Sequence, residues 1–307
     1  MTEQQSDITR TISTRVGPLT VQVTGSGPPA LLWHSLFVDS TTWGRLRPQL
    51  AAQRRLVLID GPNHGGNARR RVPFTLNDCL GAAIDVIDEL RIDEPIDWLG
   101  NAWGGHVGIL FAADHPERCR SLLTIGAPVH GLSDRDRRQI RLLAGLYLIG
   151  GPAAVSGPLV DALVGRASGT IDPAGRQIVA QAFRRAGRLG MFDATRWLSL
   201  RRQDLTPMLN RIDCPTLMTT GQADPMWTVG AAQAAVGRLR SGALVIVPGS
   251  GHIGPLLQSA PILGDLIGQF WSDPAAGLRS LSATDASHFV TPAGERSRHR
   301  DVPHFSP

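Results

Sequence analysis

Apolar and polar positions in the first 125 residues follow two periods, one of two residues and one of 3.6. Residues 8–23 alternate as two antiparallel strands would, with a turn expected at Gly17-Pro18. Residues 30–33 and 55–59 are short unbroken apolar runs, the pattern of strands covered on both faces. A helix is expected between them at 42–52. Leu76, Leu80, Ala83, Ile84, Ile87 and Leu90 fall on one helical face, and Thr75 with Asp78 forms a capping box that opens it. Strand 96–99, helix 104–113 and strand 122–125 follow. Strands that alternate with helices in this way predict an α/β fold: a doubly wound, mostly parallel sheet with helices on both faces.

The rhythm stops at residue 130 and resumes at 211. Strand 216–220, helix 229–239, strand 243–247 and helix 255–271 complete the pattern. Residues 1–129 and 211–271 are therefore read as one core. Residues 130–210 are read as a helical cap inserted between two of its strands. Residues 272–307 turn polar, with scattered Pro and Arg, and are expected to form a mobile tail. Within the cap, residues 142–160 carry no charge and reach the minimum length of a membrane span. Gly150-Gly151-Pro152 and Gly157-Pro158 break the run, so two short apolar helices are expected and no membrane partner.

Charge changes this picture little. All 31 basic residues among the 307 are Arg, set against 26 acids for a net +5, and they are scattered rather than gathered in a stripe. Nucleic-acid binding needs such a stripe with interleaved aromatics, and is not expected. Cys79, Cys119 and Cys214 form no C-x-x-C pair, which suits small buried thiols in a reducing compartment. Residues 1–15 lack the apolar region of a signal peptide, and a cytoplasmic location is expected. No His, Cys and carboxylate cluster has metal-ligand spacing, so no metal is expected; no nicotinamide or flavin fingerprint is present either, and no cofactor is expected.

The candidate chemistry lies in Gly100-Asn101-Ala102-Trp103-Gly104, between an expected strand and an expected helix. That is the setting of the G-x-S-x-G nucleophile elbow, with Ala102 where Ser belongs. Gly221-Gln222-Ala223-Asp224 follows the strand after the cap, where a triad acid hangs from a loop. Gly249-Ser250-Gly251-His252 follows the last strand, where the base arrives. His34-Ser35-Leu36 ends an early strand, at the place of an oxyanion loop. Asp60-Gly61-Pro62-Asn63-His64-Gly65-Gly66-Asn67 is similar to a D-x-x-G-x-G-x-S turn.

On these motifs, taken together over residues 8–271, the chain resembles the α/β-hydrolase-fold superfamily, in particular its capped esterase, lactonase and haloperoxidase-like members. The resemblance implies a cofactor-independent carboxylic ester or lactone hydrolase with a small hydrophobic substrate. It places Ala102 at the nucleophile position, Asp224 as the acid and His252 as the base. It assigns the oxyanion hole to the backbone N–H groups of Leu36 and Trp103. An alanine has no lone pair, so acyl-enzyme chemistry is closed to this chain. Two accounts stay open. Ala102 replaces a serine so that an intact substrate is held, or Ala102 is the natural residue. In the second case the His252–Asp224 dyad acts as a general base in a lyase-, cyclase- or oxygenase-like reaction, or the protein only binds a small molecule.

His34, Phe37, Tyr147, Trp197 and Trp227 are the expected substrate-binding residues, with Phe37, Trp103 and Trp227 as pocket walls. His34 also reads as a structural histidine under the oxyanion loop; His64 and His106 read only as structural. The cap arginines, Arg135, Arg137, Arg138, Arg184, Arg185, Arg201 and Arg202, read as a solvated face. A homo-oligomer is left open.

Overall fold

The computed structural model describes residues 7–165, 172–248, 250–284 and 288–291. Strands β1 (Ile8–Thr14) and β2 (Gly17–Thr24) form the expected hairpin, but Thr14 pairs with Gly17. The turn is thus Arg15-Val16, and Gly17, at φ 100°, opens the second strand. β3 (Pro29–Trp33) and β4 (Arg55–Ile59) are nearly wholly buried, as unbroken apolar runs require. Helix α1 (Arg47–Ala51) is shorter than the pattern suggests, since Pro48 starts it and a single 3₁₀ turn at Ser40–Trp43 precedes it. α2 (Leu76–Glu89) opens on the capping box: Thr75 Oγ1 accepts from the Asp78 amide while Asp78 accepts from the Thr75 amide.

β5 (Ile96–Asn101), α3 (Trp103–Asp114) and β6 (Cys119–Ile125) carry the parallel sheet to its centre. The cap follows as α4 (Asp134–Val164), α5 (Pro173–Arg185), α6 (Arg188–Ala194) and a π-helical turn at Thr195–Ser199. The chain then returns to β7 (Thr216–Gly221), α7 (Val229–Val236) and β8 (Gly242–Val247). Sheet order is β1-β2-β4-β3-β5-β6-β7-β8-β9, parallel from β4 to β8 and antiparallel at both margins. Apolar side chains of α2, α3 and α7 cover one face. Those of α1, α8 (Gly254–Leu257) and α9 (Ala260–Ser272) cover the other.

One expectation needs correction. Residues 272–307 do not begin as a mobile tail: Pro274–Thr284 is a helix, α10, with Leu278 buried against α9, and His288–Thr291 pairs antiparallel with β8 as β9. The polar composition of this stretch hid one apolar contact face; residues 292–307 lie outside the described residues. The uncharged run in the cap is part of one helix by hydrogen bonding, but Gly151 at φ 70° and ψ −168° divides it into two, at the Gly150-Gly151-Pro152 break. Among the described residues α4 alone is long and apolar enough to cross a membrane.

Candidate active site

In a parallel sheet, sites form beyond the carboxyl ends of the strands, near the point where strand order reverses. Here the reversal lies at β3, which runs to β4 on one side and pairs with β5 on the other. The loops after β3, β5, β6, β7 and β8 supply the site.

The elbow is the bend from β5 into α3. Ala102 has φ 46° and ψ −101°, a region that costs an L-residue on the order of 1–3 kcal/mol. Its amide donates to Ile125 O at 2.8 Å, and its carbonyl accepts from the His106 amide at 2.9 Å. Glycine is obligatory beside it. A Cβ on Gly104 would lie 1.9 Å from Trp33 O, and one on Gly100 would lie 2.3 Å from the Gly104 carbonyl carbon. Trp103 opens α3, where an N–H has no partner inside the helix. The Leu36 and Trp103 amides are, among the described residues, without hydrogen-bond partners.

Asp224 follows β7, and His252 follows β8. The His252 Nδ1–H donates to Asp224 Oδ2 at 2.8 Å, with both side chains buried. The other carboxylate oxygen accepts from the Met226 amide at 2.8 Å and the Trp227 amide at 3.1 Å. With Nδ1 donating to the carboxylate, the free lone pair of the uncharged tautomer is the one on Nε2. The loops also lock together through the main chain: Ala223 N–H donates to Ser250 O at 2.9 Å, and Ile253 N–H donates to Leu163 O, on α4, at 2.8 Å. Gly249 lies outside the described residues.

One residue of the site escapes sequence reasoning. Gly126, at φ 55° after β6, would place a Cβ 2.6 Å from His252 O, 3.2 Å from His252 Nδ1 and 3.3 Å from Asp224 Oδ2. Its neighbour Ile125 is the residue that receives the Ala102 amide. Gly126 therefore joins the elbow to the dyad. The signal was present, a glycine directly after an apolar strand, but a glycine shows no chemistry in a sequence.

The expected pocket residues divide. Phe37, at φ 74°, is half-buried where the two sheet-face clusters meet the cap cluster, and its ring stands 6.2 Å from that of Phe183. Tyr147 is buried in the cap cluster 5.0 Å from Phe183, and burial pushes its phenol up to about 12. Trp197 packs edge-on against Phe74 at 5.2 Å. The other three point elsewhere. His34 is fully buried: its Nε2 accepts from the Gly61 amide at 2.9 Å, so its Nδ1–H donates to Ser35 O at 2.7 Å. Both nitrogens are spent on backbone, and the ring serves as a strut under the loop after β3. The Trp103 ring turns into the core against Trp33, His34 and His64, over Gly61, whose missing Cβ leaves it room. Trp227 is buried and stacked on His130; it buttresses Asp224 rather than lining a wall.

Burial also sets the histidine chemistry. It lowers His34 to about 4, and His64 and His106 each to about 3, with neighbouring His34 adding to the shift at His64 and Arg202 to that at His106. All three are neutral near pH 7. Among the described residues no group of three or more His, Cys, Asp or Glu could hold a metal ion. The thiols of Cys79, Cys119 and Cys214 are buried, with Cys119 Sγ and Cys214 Sγ 3.6 Å apart.

The cap arginines are not uniformly a solvated face. Arg185 grips Asp39 with bonds of 2.7 and 3.0 Å. Arg202 is largely enclosed; burial lowers it to about 10, and its Nη2 donates to His130 O at 2.9 Å. Arg45 on Asp172 and Arg69 on Asp193 further tie the core to the cap.

The sequence matches the family model described as the alpha/beta hydrolase fold over residues 28–258, most of the chain. This chain belongs to that family. Solved structures agree with the hydrolase fold. A thermophilic esterase from Thermogutta terrifontis superposes with a TM-score of 0.78 at 21% identity, covering 88% of this chain and 99% of that one. The enol-lactonase from Burkholderia xenovorans LB400 gives 0.77 at 18%, covering 86% and 100%. At these identities the likeness is one of fold. A 2-hydroxymuconate semialdehyde hydrolase of Pseudomonas sp. is 31% identical over 107 residues, 34% of this hydrolase-fold chain and 38% of the relative. The chain matches only about two fifths of the length of the first such curated relatives.

Proposed function

We propose that the site holds a neutral-to-hydrophobic carboxylic ester or lactone, and that Ala102 lets it bind this substrate without acyl transfer. The observation that carries the reading is the pairing of a strained elbow with a complete dyad. Ala102 keeps φ 46° while Asp224 holds the His252 ring through a bond of 2.8 Å, and Gly126, which packs against the dyad, follows the Ile125 that receives the Ala102 amide. The substrate carbonyl oxygen sits on the Leu36 and Trp103 amides, with its carbon over the Ala102 methyl. With serine at 102, the hydroxyl oxygen attacks that carbon as its proton passes to His252 Nε2. The oxyanion gathers on the two amides, each donor worth about 3–4 kcal/mol to the transition state. The proton then leaves with the alcohol, and water releases the acid by the same path in reverse. The apolar surroundings of Phe37, Tyr147 and Phe183 suit an uncharged acyl or alcohol group.

Ala102→Ser should give turnover of medium-chain aryl esters and lactones at least ~10³-fold above the parent, whose residual rate comes from binding and the hole alone. A folded Ala102→Ser chain with no gain on such a panel overturns the reading.

A second reading rests on the Nε2 lone pair, which no described residue engages. Here the dyad is a general base that activates water or takes a substrate proton. It requires turnover by the unmodified chain that His252→Ala abolishes. Ligand binding unchanged by His252→Ala, with no turnover in either chain, favours a binding protein.

A further inference from the structure

Large apolar side chains on the outside of the cap share one stripe. Leu142 is 66% exposed and Ile149 84%, with Leu146 about half exposed between them. Spacings of four and three residues put all three on one side of α4. Leu189 continues the patch from α6, where the Arg188 guanidinium reaches Ile149 O. The opposite side of α4 carries Tyr147 and Val155 into the cluster that meets Phe37. The helix thus has two apolar faces, and one is bare.

The rim of the bare face is cationic. Arg138 lies one turn before Leu142 and Arg141 directly before it; Arg138 to Ile149 spans about 16 Å of helix. Arg138, Arg141 and Arg188 are all exposed, and among the described residues none forms an ion pair. Asp134 and Asp136 occupy the first turn of α4, where Asp136 is bonded to Ser133. An apolar stripe edged by arginine is the composition of a helix lying in a lipid interface, its leucines among acyl chains and its guanidinia at headgroup phosphates. A second copy of this chain would bring an equal cationic rim against the first, whereas an anionic bilayer neutralises it.

We propose that the outer face of α4, with Leu189, docks on an anionic lipid surface, the helix lying in the interface and not spanning it. The reading stands apart from the chemistry at residue 102.

The test is sedimentation of the full chain with sucrose-loaded vesicles of phosphatidylcholine alone or with 30 mol% phosphatidylglycerol, at low and high salt. The parent should bind the anionic vesicles and be released by salt. L142S/L146S/I149S should weaken partitioning at least ~10-fold. R138S/R141S should weaken it about fivefold per arginine on anionic vesicles only. Both variants change exposed positions; far-ultraviolet spectra and elution volumes matching the parent establish that they fold. Failure of the parent to bind anionic vesicles overturns the proposal, as does a folded triple variant that binds undiminished. A dimer that the triple variant dissociates, without vesicle binding, also overturns it and makes a second copy the occupant.

Discussion

The sheet and the cap are held by different means. At the elbow, chain segments touch through their backbones, and the fit depends on missing atoms: Gly100, Gly104 and Gly126 each stand where a Cβ would enter a carbonyl or the dyad. The cap sits on the core through separate arginine–carboxylate grips, Arg185 on Asp39, Arg45 on Asp172 and Arg69 on Asp193. The elbow and the dyad are thus set in the stiffest matter available, close-packed main chain. The helical insertion is held by contacts that can be lost one at a time.

The largest expected effect is acid instability of the core. His34, His64 and His106 have folded values of about 4, 3 and 3 against 6.5 in the open chain. Above pH 6.5 they are neutral in both states and impose no penalty. Below it the unfolded chain binds protons that the folded chain refuses, so stability falls from pH 6.5 down towards 3–4. At pH 5 each costs about 2 kcal/mol, and about 6 together, comparable with the stability of a whole domain. Urea titrations at pH 7.5 and pH 5 read this directly, and equal midpoints would refute it.

Gly104→Ala comes next. Its methyl would lie 1.9 Å from Trp33 O, which only backbone movement can relieve, so a loss of at least ~3 kcal/mol or no folded product is expected. Arg185→Ala tests the cap. It strips a guanidinium from Asp39, whose burial would raise its pKa were Arg185 and Thr41 not outweighing that and holding it below normal. Because Arg185 is 40% exposed, water screens part of the pair, and about 1–2 kcal/mol should be lost. Faster proteolysis within 130–210, with the core intact, would mark the loss as local. Gly145→Ala should move the other way: nothing lies within 4 Å of its Cβ in mid-helix, and thermal unfolding should show a gain of about 0.5–1 kcal/mol.

The same contrast explains what could be read from the sequence. Strands buried on both faces write themselves as apolar runs, so β3 to β8 were legible, as were the elbow glycines and the order of Ala102, Asp224 and His252. Gly126 was not, because its contribution is an absence. Nor were the partners of Arg185 and Arg202, since an arginine that bridges 146 residues to Asp39 looks in sequence like one facing water. Aromatic rings misled for a related reason. Trp103 and Trp227 adjoin the chemistry along the chain, yet their size sends the rings inward, where they bury the most surface.

The joint at Gly151 splits α4 into an arm and a stub. The stub ends at Leu163, whose carbonyl holds the Ile253 amide beside His252, and at Val164, which crowds Gly251. A swing of the whole insertion would pull on the loop that carries His252. A swing of the arm alone, with residue 151 as its pivot, leaves that loop in place.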